Sequence, residues 1–338
     1  MVGAFSHAPF YTKYVKQPTI DDPPSSFFKD DPKMWPFFQH ALGAIDGSHI
    51  PFYPPASERE IYRNRKGFCS QNGLFCCTFS LFFTYSLTGW EGSSSDARVF
   101  EDAITTDLDV PSGFYLLADA GFPHCKELLI PYRGKRHHLQ EWGRAKLKPV
   151  DREELFNLCH AQARNCIERI FGVLKKRFRI LLLSPEYKKD KGLQNRIPSA
   201  LVAIHNFIRH HDHNEEKLPG SDADSIHPSA GDTSTPLPIP PATQSAAAAR
   251  RDIDNRRDTI AQAMWDSYQM ILTTHMEQAE AVNQFLYNNI EHPYVTRMLG
   301  NEANTKEQNV EGDGEENGED NEGYAGDDGG EGNTAENM

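Results

Sequence analysis

Gly43-Ala-Ile-Asp-Gly-Ser-His-Ile50 is the stretch that decides the fold, because it sets an acidic residue in a short apolar run bounded by glycine and proline. Such a run is typical of a buried strand, so Asp46 is expected to lie on one. The run Phe114-Tyr-Leu-Leu-Ala-Asp-Ala-Gly-Phe122 has the same character and ends at Asp119. Glu168 lies in Asn165-Cys-Ile-Glu-Arg-Ile-Phe-Gly172, inside a long segment of helical period. Two strand-borne aspartates and one helix-borne glutamate can converge at one edge of a sheet.

Three carboxylates in one place are the ligands that Mg²⁺ or Mn²⁺ prefers. Two-metal cleavage of a phosphodiester needs carboxylates that hold two ions roughly 3.5–4 Å apart. We expect Asp46 to bridge both ions, Asp119 to bind one and Glu168 to bind the other. Each residue alone has a simpler interpretation, since an aspartate before glycine is commonly a turn residue. Glu168 could equally pair with Arg164, one helical turn earlier.

The three contexts resemble the nuclease domain of PIF/Harbinger-type transposases, which belong to the DDE superfamily and have an RNase H-like fold. The resemblance extends from about Trp35 to His211. It includes the flanking segments Arg63-Asn-Arg-Lys-Gly-Phe68, Gly89-Trp-Glu-Gly-Ser-Ser-Ser-Asp-Ala-Arg-Val-Phe100 and His205-Asn-Phe-Ile-Arg-His-His211. The separations of 73 and 49 positions between the three acids follow from the numbering, and the second fits the family.

This resemblance implies a metal-dependent DNA endonuclease with Asp46, Asp119 and Glu168 as catalytic and metal-binding residues. Two divalent ions, Mg²⁺ or Mn²⁺, would be its cofactors, and activated water would leave a 3′-hydroxyl able to attack target DNA. The family also implies a nuclear protein with a Myb-like DNA-binding partner. Transposases of this type usually carry a helix-turn-helix region before the first aspartate, and no such pattern fits residues 1–45. A non-catalytic DNA and protein interaction protein derived from a transposase is therefore the alternative hypothesis.

Two further residues near these motifs keep two interpretations each. Asp96 is a fourth carboxylate in a family-like motif, and it is either an accessory residue near the metals or a helix residue favoured by the macrodipole. His49 is three positions from Asp46, and it either supports that residue by a hydrogen bond or packs as an ordinary histidine.

The charge of the chain, -13 overall, is very unevenly distributed. Residues 301–338 hold 13 Asp and Glu with one Lys, whereas residues 131–210 hold 18 Lys and Arg with 7 Asp and Glu. A basic surface around an acidic site is expected of an enzyme that holds a phosphate backbone, although a solvated helix face has the same composition. The candidates for DNA binding are Arg63, Arg65, Lys66, Arg133, Lys135, Arg136, Lys175, Lys176, Arg177 and Arg179.

The remaining patterns divide the chain and exclude other classes. Cys69, Cys76, Cys77, Cys125, Cys159 and Cys166 show no zinc-binding spacing, and no apolar stretch is long enough to cross a bilayer. The run Lys175-Lys-Arg-Phe-Arg179 resembles a nuclear localisation patch. We expect a disordered lead-in over 1–31, a nuclease domain over 32–211, a linker over 212–247, a helical extension over 248–300 and a disordered acidic tail over 301–338. The fold class is α/β, an RNase H-like mixed sheet flanked by helices.

Overall fold

The computed structural model describes residues 2–135, 148–183, 190–212 and 244–288. Within these ranges five strands form one sheet: β1 (Ala41–Pro51), β2 (Ser70–Cys77), β3 (Phe83–Glu91), β4 (Tyr115–Leu117) and β5 (Leu128–Leu129). Their order is β3-β2-β1-β4-β5. The first three strands are antiparallel neighbours, and β4 and β5 continue the sheet in parallel with β1. The expected mixed α/β sheet is confirmed and is consistent with an RNase H-like fold.

Eight α-helices accompany the sheet in the described residues, together with 3₁₀ turns at Ala56–Glu58 and Arg179–Leu181. They are α1 (Val2–Ser6), α2 (Phe10–Tyr14), α3 (Ser26–Lys29), α4 (Arg59–Tyr62), α5 (Asp96–Thr106), α6 (Arg152–Arg177), α7 (Lys191–His211) and α8 (Gln244–Asn288). Side-chain caps begin the longer ones: Ser95 accepts from the Arg98 amide, and Asp151 accepts from that of Glu154. None of the described helices combines the length and apolar character that a membrane crossing requires.

The sheet has a core on each face, and β2 shows how the sequence divides between them. Phe75 and Cys77 belong to the core that includes α6, whereas Leu74 and Cys76 belong to the core beneath α5. Because successive side chains of a strand point to opposite faces, the consecutive apolar residues Leu74–Cys77 are covered on both sides. This explains why the cysteines of β2 are buried thiols.

Buried side-chain amides complete the edges of the sheet and its loops. Asn206 of α7 accepts from the Phe83 amide at 2.9 Å and donates to the Phe83 carbonyl at 2.7 Å. Gln194 pairs in the same way with the backbone of Tyr53, and Asn157 of α6 does so with that of Tyr132. Each amide therefore satisfies a buried backbone donor and acceptor that no neighbouring strand reaches.

The N-terminal segment corrects one expectation, because residues 2–31 contain helices rather than a disordered lead-in. Phe10 and Tyr14 pack their rings against Phe207 of α7, and Asn206 donates to the Tyr14 carbonyl at 2.8 Å. Phe28 is fully buried in the core. These long-range contacts stabilise helices that are too short to be stable alone.

Helix α8 extends from the first compact unit, Met1–Met270, into the second, Ile271–Met338. Ile253, Ala261 and Met264 are buried, and Asp258 accepts a hydrogen bond from the Tyr132 hydroxyl at 2.6 Å. Arg256 donates to the carbonyls of Lys126 and Leu128, next to and within β5. The helix begins at Gln244, which lies inside the expected linker over 212–247. The expected acidic tail over 301–338 lies outside the described residues.

Candidate active site

Asp46 and Asp119 are brought level by the pairing of β1 with β4. These strands are parallel, and Ala44 is in register with Leu117. Asp46 and Asp119 each lie two residues beyond that pair, so the register sets them level, with Asp119 in the loop just after β4. Strand β4 ends at Leu117, which leaves a notch beside β1 where the two carboxylates stand.

Local hydrogen bonds fix both aspartates. The Gly47 amide donates to Asp46 Oδ1 at 2.9 Å, and the Gly121 amide donates to Asp119 Oδ1 at 2.7 Å. The guanidinium of Arg133 donates to the Ala120 carbonyl through Nε at 3.0 Å and Nη2 at 2.7 Å, which holds the loop after Asp119. The Asp46 side chain is 15% exposed, so solvent reaches only part of it.

Glu168 reaches the same place from α6 through an arginine. Arg164 Nη1 donates to Asp46 Oδ2 at 3.2 Å, and Nη2 donates to Glu168 Oε1 at 2.7 Å. The guanidinium is 16% exposed and the Glu168 side chain 34%. The expected pairing of Glu168 with Arg164 is present. Because Arg164 also bonds Asp46, the pairing holds Glu168 close to Asp46.

The electrostatics of the site show an excess of negative charge. Burial raises the pKa of Asp46 to about 7, Arg164 opposes that rise, and the charges of Asp119, Asp96 and Glu168 add to it. Burial likewise raises the pKa of Asp96, where Asn72 opposes the rise and Asp119 adds to it. One arginine therefore does not neutralise the four acids, and a further cation would be attracted to them.

Lys175 contributes a second cationic group from the same face of α6. Its Nζ donates to Ser48 Oγ at 3.0 Å and lies 5.6 Å from the centre of the Phe171 ring. Burial lowers the pKa of Lys175, while Asp46 raises it. Lys175 is therefore part of the site rather than a solvated surface residue, a placement that helical spacing from Glu168 could have indicated.

The other candidates for DNA binding differ in how far their side chains are exposed. Arg63, Arg65, Lys66, Lys176 and Arg179 are exposed. Lys135 pairs with Asp151 at 2.6 Å and Glu153 at 3.3 Å, and Arg177 donates to His205 Nδ1 at 3.0 Å. With Arg133 these residues have structural partners, and Arg136 lies outside the described residues.

The exposed basic segment is anchored beside the site by a buried asparagine. Asn64 donates to Ser70 Oγ at 3.0 Å and accepts from the Lys66 amide at 2.9 Å. His49 also bonds to Ser70 Oγ, at 3.1 Å, so its partner is β2 rather than Asp46. The segment Arg63–Phe68 is thereby held next to the ends of β1 and β2.

The donor chemistry of the notch fits a hard divalent cation, because the converging groups are carboxylates. In the arrangement described, no three His, Cys, Asp or Glu side chains among the described residues stand together as a ready ligand set. The guanidinium of Arg164 lies between Asp46 and Glu168. Cation binding would therefore require these side chains to exchange Arg164 for the ion.

The fold is thus a mixed α/β sheet in which two aspartates lie level with each other and a glutamate reaches them from a helix. This arrangement is the one expected of α/β nuclease domains that have a carboxylate site. Residues 45–206 match the family described as DDE superfamily endonuclease, and this segment of the chain belongs to that family. Two curated relatives, from Homo sapiens and Bos taurus, both bear the name "Putative nuclease HARBI1". Each is 27% identical over 176 residues, which cover 50% of this chain and 46% of the relative.

The chain therefore spans about half the length of the curated relatives it matches. No solved structure matches it. The resemblance to Harbinger-type nucleases is confirmed by the family match and by these relatives. The roles of the individual site residues stay predictions.

Proposed function

We propose that this protein is a divalent-metal-dependent DNA endonuclease of transposase type that hydrolyses phosphodiester bonds. One observation carries the proposal: the parallel register of β1 and β4 sets Asp46 level with Asp119, and Arg164 joins Asp46 to Glu168. These are the three acids that the sequence singles out. The family of residues 45–206 supports the same activity and a DNA substrate.

Asp46, Asp119 and Glu168 would hold the cations, with Asp46 at the centre because its charge interacts with those of Asp119, Glu168 and Arg164. When bound, two Mg²⁺ or Mn²⁺ ions would activate water and stabilise the leaving oxygen. The Lys175 ammonium would donate to a phosphate oxygen next to the acids, since it bonds Ser48 and its charge interacts with that of Asp46. The exposed residues Arg65 and Lys66 would hold the flanking phosphates, which gives affinity without sequence information.

The family resemblance extends the proposal in three directions. The 3′-hydroxyl released by cleavage would attack target DNA, which adds strand transfer to hydrolysis. The protein would act in the nucleus. A Myb-like partner would supply the sequence-specific DNA binding that phosphate contacts lack.

Cleavage of supercoiled plasmid with Mg²⁺ or Mn²⁺ tests the proposal. Asp46→Asn and Asp119→Asn should each reduce the rate by at least 100-fold, because each removes a charge that holds the ions. Asp109→Asn, an exposed position, is the matched control and should cleave like the parent chain. Cleavage that survives both site substitutions would refute the proposal.

Metal titration separates the nuclease from the alternative, a transposase-derived interaction protein. The nuclease should bind Mn²⁺ at millimolar concentration or below in calorimetry, and Asp46→Asn should abolish that binding. A chain that binds DNA but neither takes up Mn²⁺ nor cleaves would support the non-catalytic function instead.

A further inference from the structure

Asp96 begins α5, on the opposite face of β1 from Asp46, and its carboxylate lies against Gly47, the residue that follows Asp46. The helix does not need that carboxylate for its first turn, because Ser95 is the capping residue. Asp96 Oδ1 instead accepts a hydrogen bond from Asn72 Nδ2 at 2.8 Å. The interpretation of Asp96 as a residue that merely favours the helix macrodipole therefore leaves the orientation of its side chain unexplained.

Gly47 is the position across which Asp96 approaches the site. A side chain at residue 47 would overlap the Asp96 carboxylate, because an added Cβ would collide with Oδ1, Cγ and Oδ2. Gly47 follows Asp46 directly, and the sheet is open on this side of β1 because β4 ends at Leu117. The absence of a side chain at 47 thus brings a carboxylate from the α5 face against the backbone next to Asp46.

Asn72 supplies a second, independent observation. It is 1% exposed, and its Nδ2 donates both to Asp96 and to the Ser94 carbonyl, at 2.8 and 3.0 Å. Its Oδ1 is buried and has no hydrogen-bond partner in the described structure. A buried carbonyl oxygen without a donor carries a desolvation cost, which a cation or its bound water within reach of this oxygen would remove.

We propose that Asp96, held by Asn72, is a fourth carboxylate of the cation site and approaches it across Gly47. This inference rests on the proposed function, because it adds a ligand to the same site. Asp46, Asp119 and Glu168 approach from the face of α6 or from the end of β4, whereas Asp96 approaches from the face of α5. The cation site is therefore enclosed by oxygen donors from both sides of the sheet.

Mn²⁺ binding to the full chain, measured by calorimetry and by the shift in melting temperature, tests the inference. Asp96→Asn keeps the shape of the side chain and the oxygen that accepts from Asn72, but removes the charge. We expect the Mn²⁺ dissociation constant to rise at least tenfold and the Mn²⁺-induced rise in melting temperature to shrink. Without metal, the variant should melt at the same temperature as the parent or higher, since a carboxylate charge has been removed from among like charges.

Glu101→Gln is the matched control, since it removes the same charge from an exposed position of α5. Asp96→Ser provides a second test with a smaller side chain, and its metal-free melting temperature shows whether it is folded. Unchanged Mn²⁺ affinity in folded Asp96→Asn and Asp96→Ser would overturn the inference. If Asp46→Asn still abolished binding, the proposed function would stand without the fourth ligand. A parent chain that bound no Mn²⁺ would refute both.

Discussion

Arg164 is the counter-ion that connects Asp46 with Glu168 in the site. Its guanidinium is the group that bonds both Asp46 and Glu168, and it is mostly buried. Arg164→Ala would leave two acids without their counter-ion, so we expect the free energy of unfolding to fall by about 1–3 kcal/mol. Thermal or denaturant unfolding measures this loss.

The same substitution connects stability to the proposed metal. Mn²⁺ should restore part of the stability lost in Arg164→Ala, because the ion would replace the missing positive charge. Lys176→Ala, an exposed position on the same helix, is the control and should change little. Equal stability of the two variants without metal would show that Arg164 is not the counter-ion described.

His205 makes the stability of the protein sensitive to acid. It is fully buried, accepts from Arg177 through Nδ1 and bonds the Leu81 carbonyl through Nε2 at 3.2 Å, which only the neutral ring can do. Burial lowers its pKa from 6.5 to about 3. The unfolded chain therefore binds the proton more tightly, and stability should fall as the pH decreases from about 6.5 towards 3.

Comparison with His205→Gln isolates this contribution, since other groups titrate in the same range. The contribution of Asp46 to the pH dependence of stability has the opposite sign. Its carboxyl pKa is raised to about 7, so protonation stabilises the folded state as the pH falls below that value. Between pH 6 and 4.5 the parent should lose more stability than the variant, by up to about 1.4 kcal/mol per pH unit. Parallel stability curves for the two proteins would contradict the neutral, buried imidazole.

At the scale of elements, the segment Arg63–Phe68 is expected to be a DNA contact. Replacing Arg65 and Lys66 with Gln should weaken binding to all DNA sequences alike and make the salt dependence shallower, by a slope of up to about 0.9 for each lost phosphate contact. Titration of labelled duplexes at several salt concentrations measures both effects. Lys16 and Lys33, exposed in the N-terminal segment, provide the control when changed to Gln together.

A variant that loses affinity for one sequence only would indicate base contacts at this segment. Lys175 and Arg177 are unsuitable for this test, because their partners Ser48 and His205 lie inside the fold. Their loss would disturb packing as well as binding.

The elements differ in how far the sequence predicts them. The sequence alone indicates that α6 begins at Arg152, because an aspartate able to cap it, Asp151, directly precedes a segment of helical period. The helical spacing of Trp35, Phe38 and Leu42 favours a short helix over Pro32–Leu42, but turns occupy residues 32–40 and β1 begins at Ala41. Pro36 has no amide to donate in that region, which leaves only turns before the strand.

Long-range partners explain what local patterns could not show. The turn between β2 and β3 has no Gly or Asn, and Leu81 adopts a left-handed φ of 62° with its carbonyl bonded to His205, far along the chain. The lead-in is ordered by Phe207 in the same manner. In the site, sequence spacing identified the three acids and the pairing of Arg164 with Glu168. The bond from Arg164 to Asp46 and the contact of Asp96 with Gly47 depend on the folded sheet.

At the scale of the whole molecule, the acidic tail is expected to restrain DNA binding. Residues 301–338 carry a net charge of -12, from 13 acids and one Lys, whereas residues 131–210 carry a net charge of +11. A tethered anionic segment competes with DNA at a high effective concentration. Deleting everything after Gly300 should therefore tighten DNA binding at low salt and leave the melting temperature nearly unchanged.

A chain whose tail acids are changed to Asn and Gln provides the control for length. It should bind DNA like the deletion if charge is the cause. Equal affinity of the parent, the deletion and the neutral tail at low ionic strength would leave the tail a solubilising segment only.

The amide pairs of Asn206, Gln194 and Asn157 have a consequence for how copies of this protein meet. An uncovered edge strand offers its backbone to another chain and is a starting point for aggregation. Asn206 occupies both backbone groups of Phe83 at the start of β3, and Arg256 donates to the Leu128 carbonyl of β5. At these positions side chains occupy backbone groups that an added strand would need, which disfavours intermolecular extension of the sheet there.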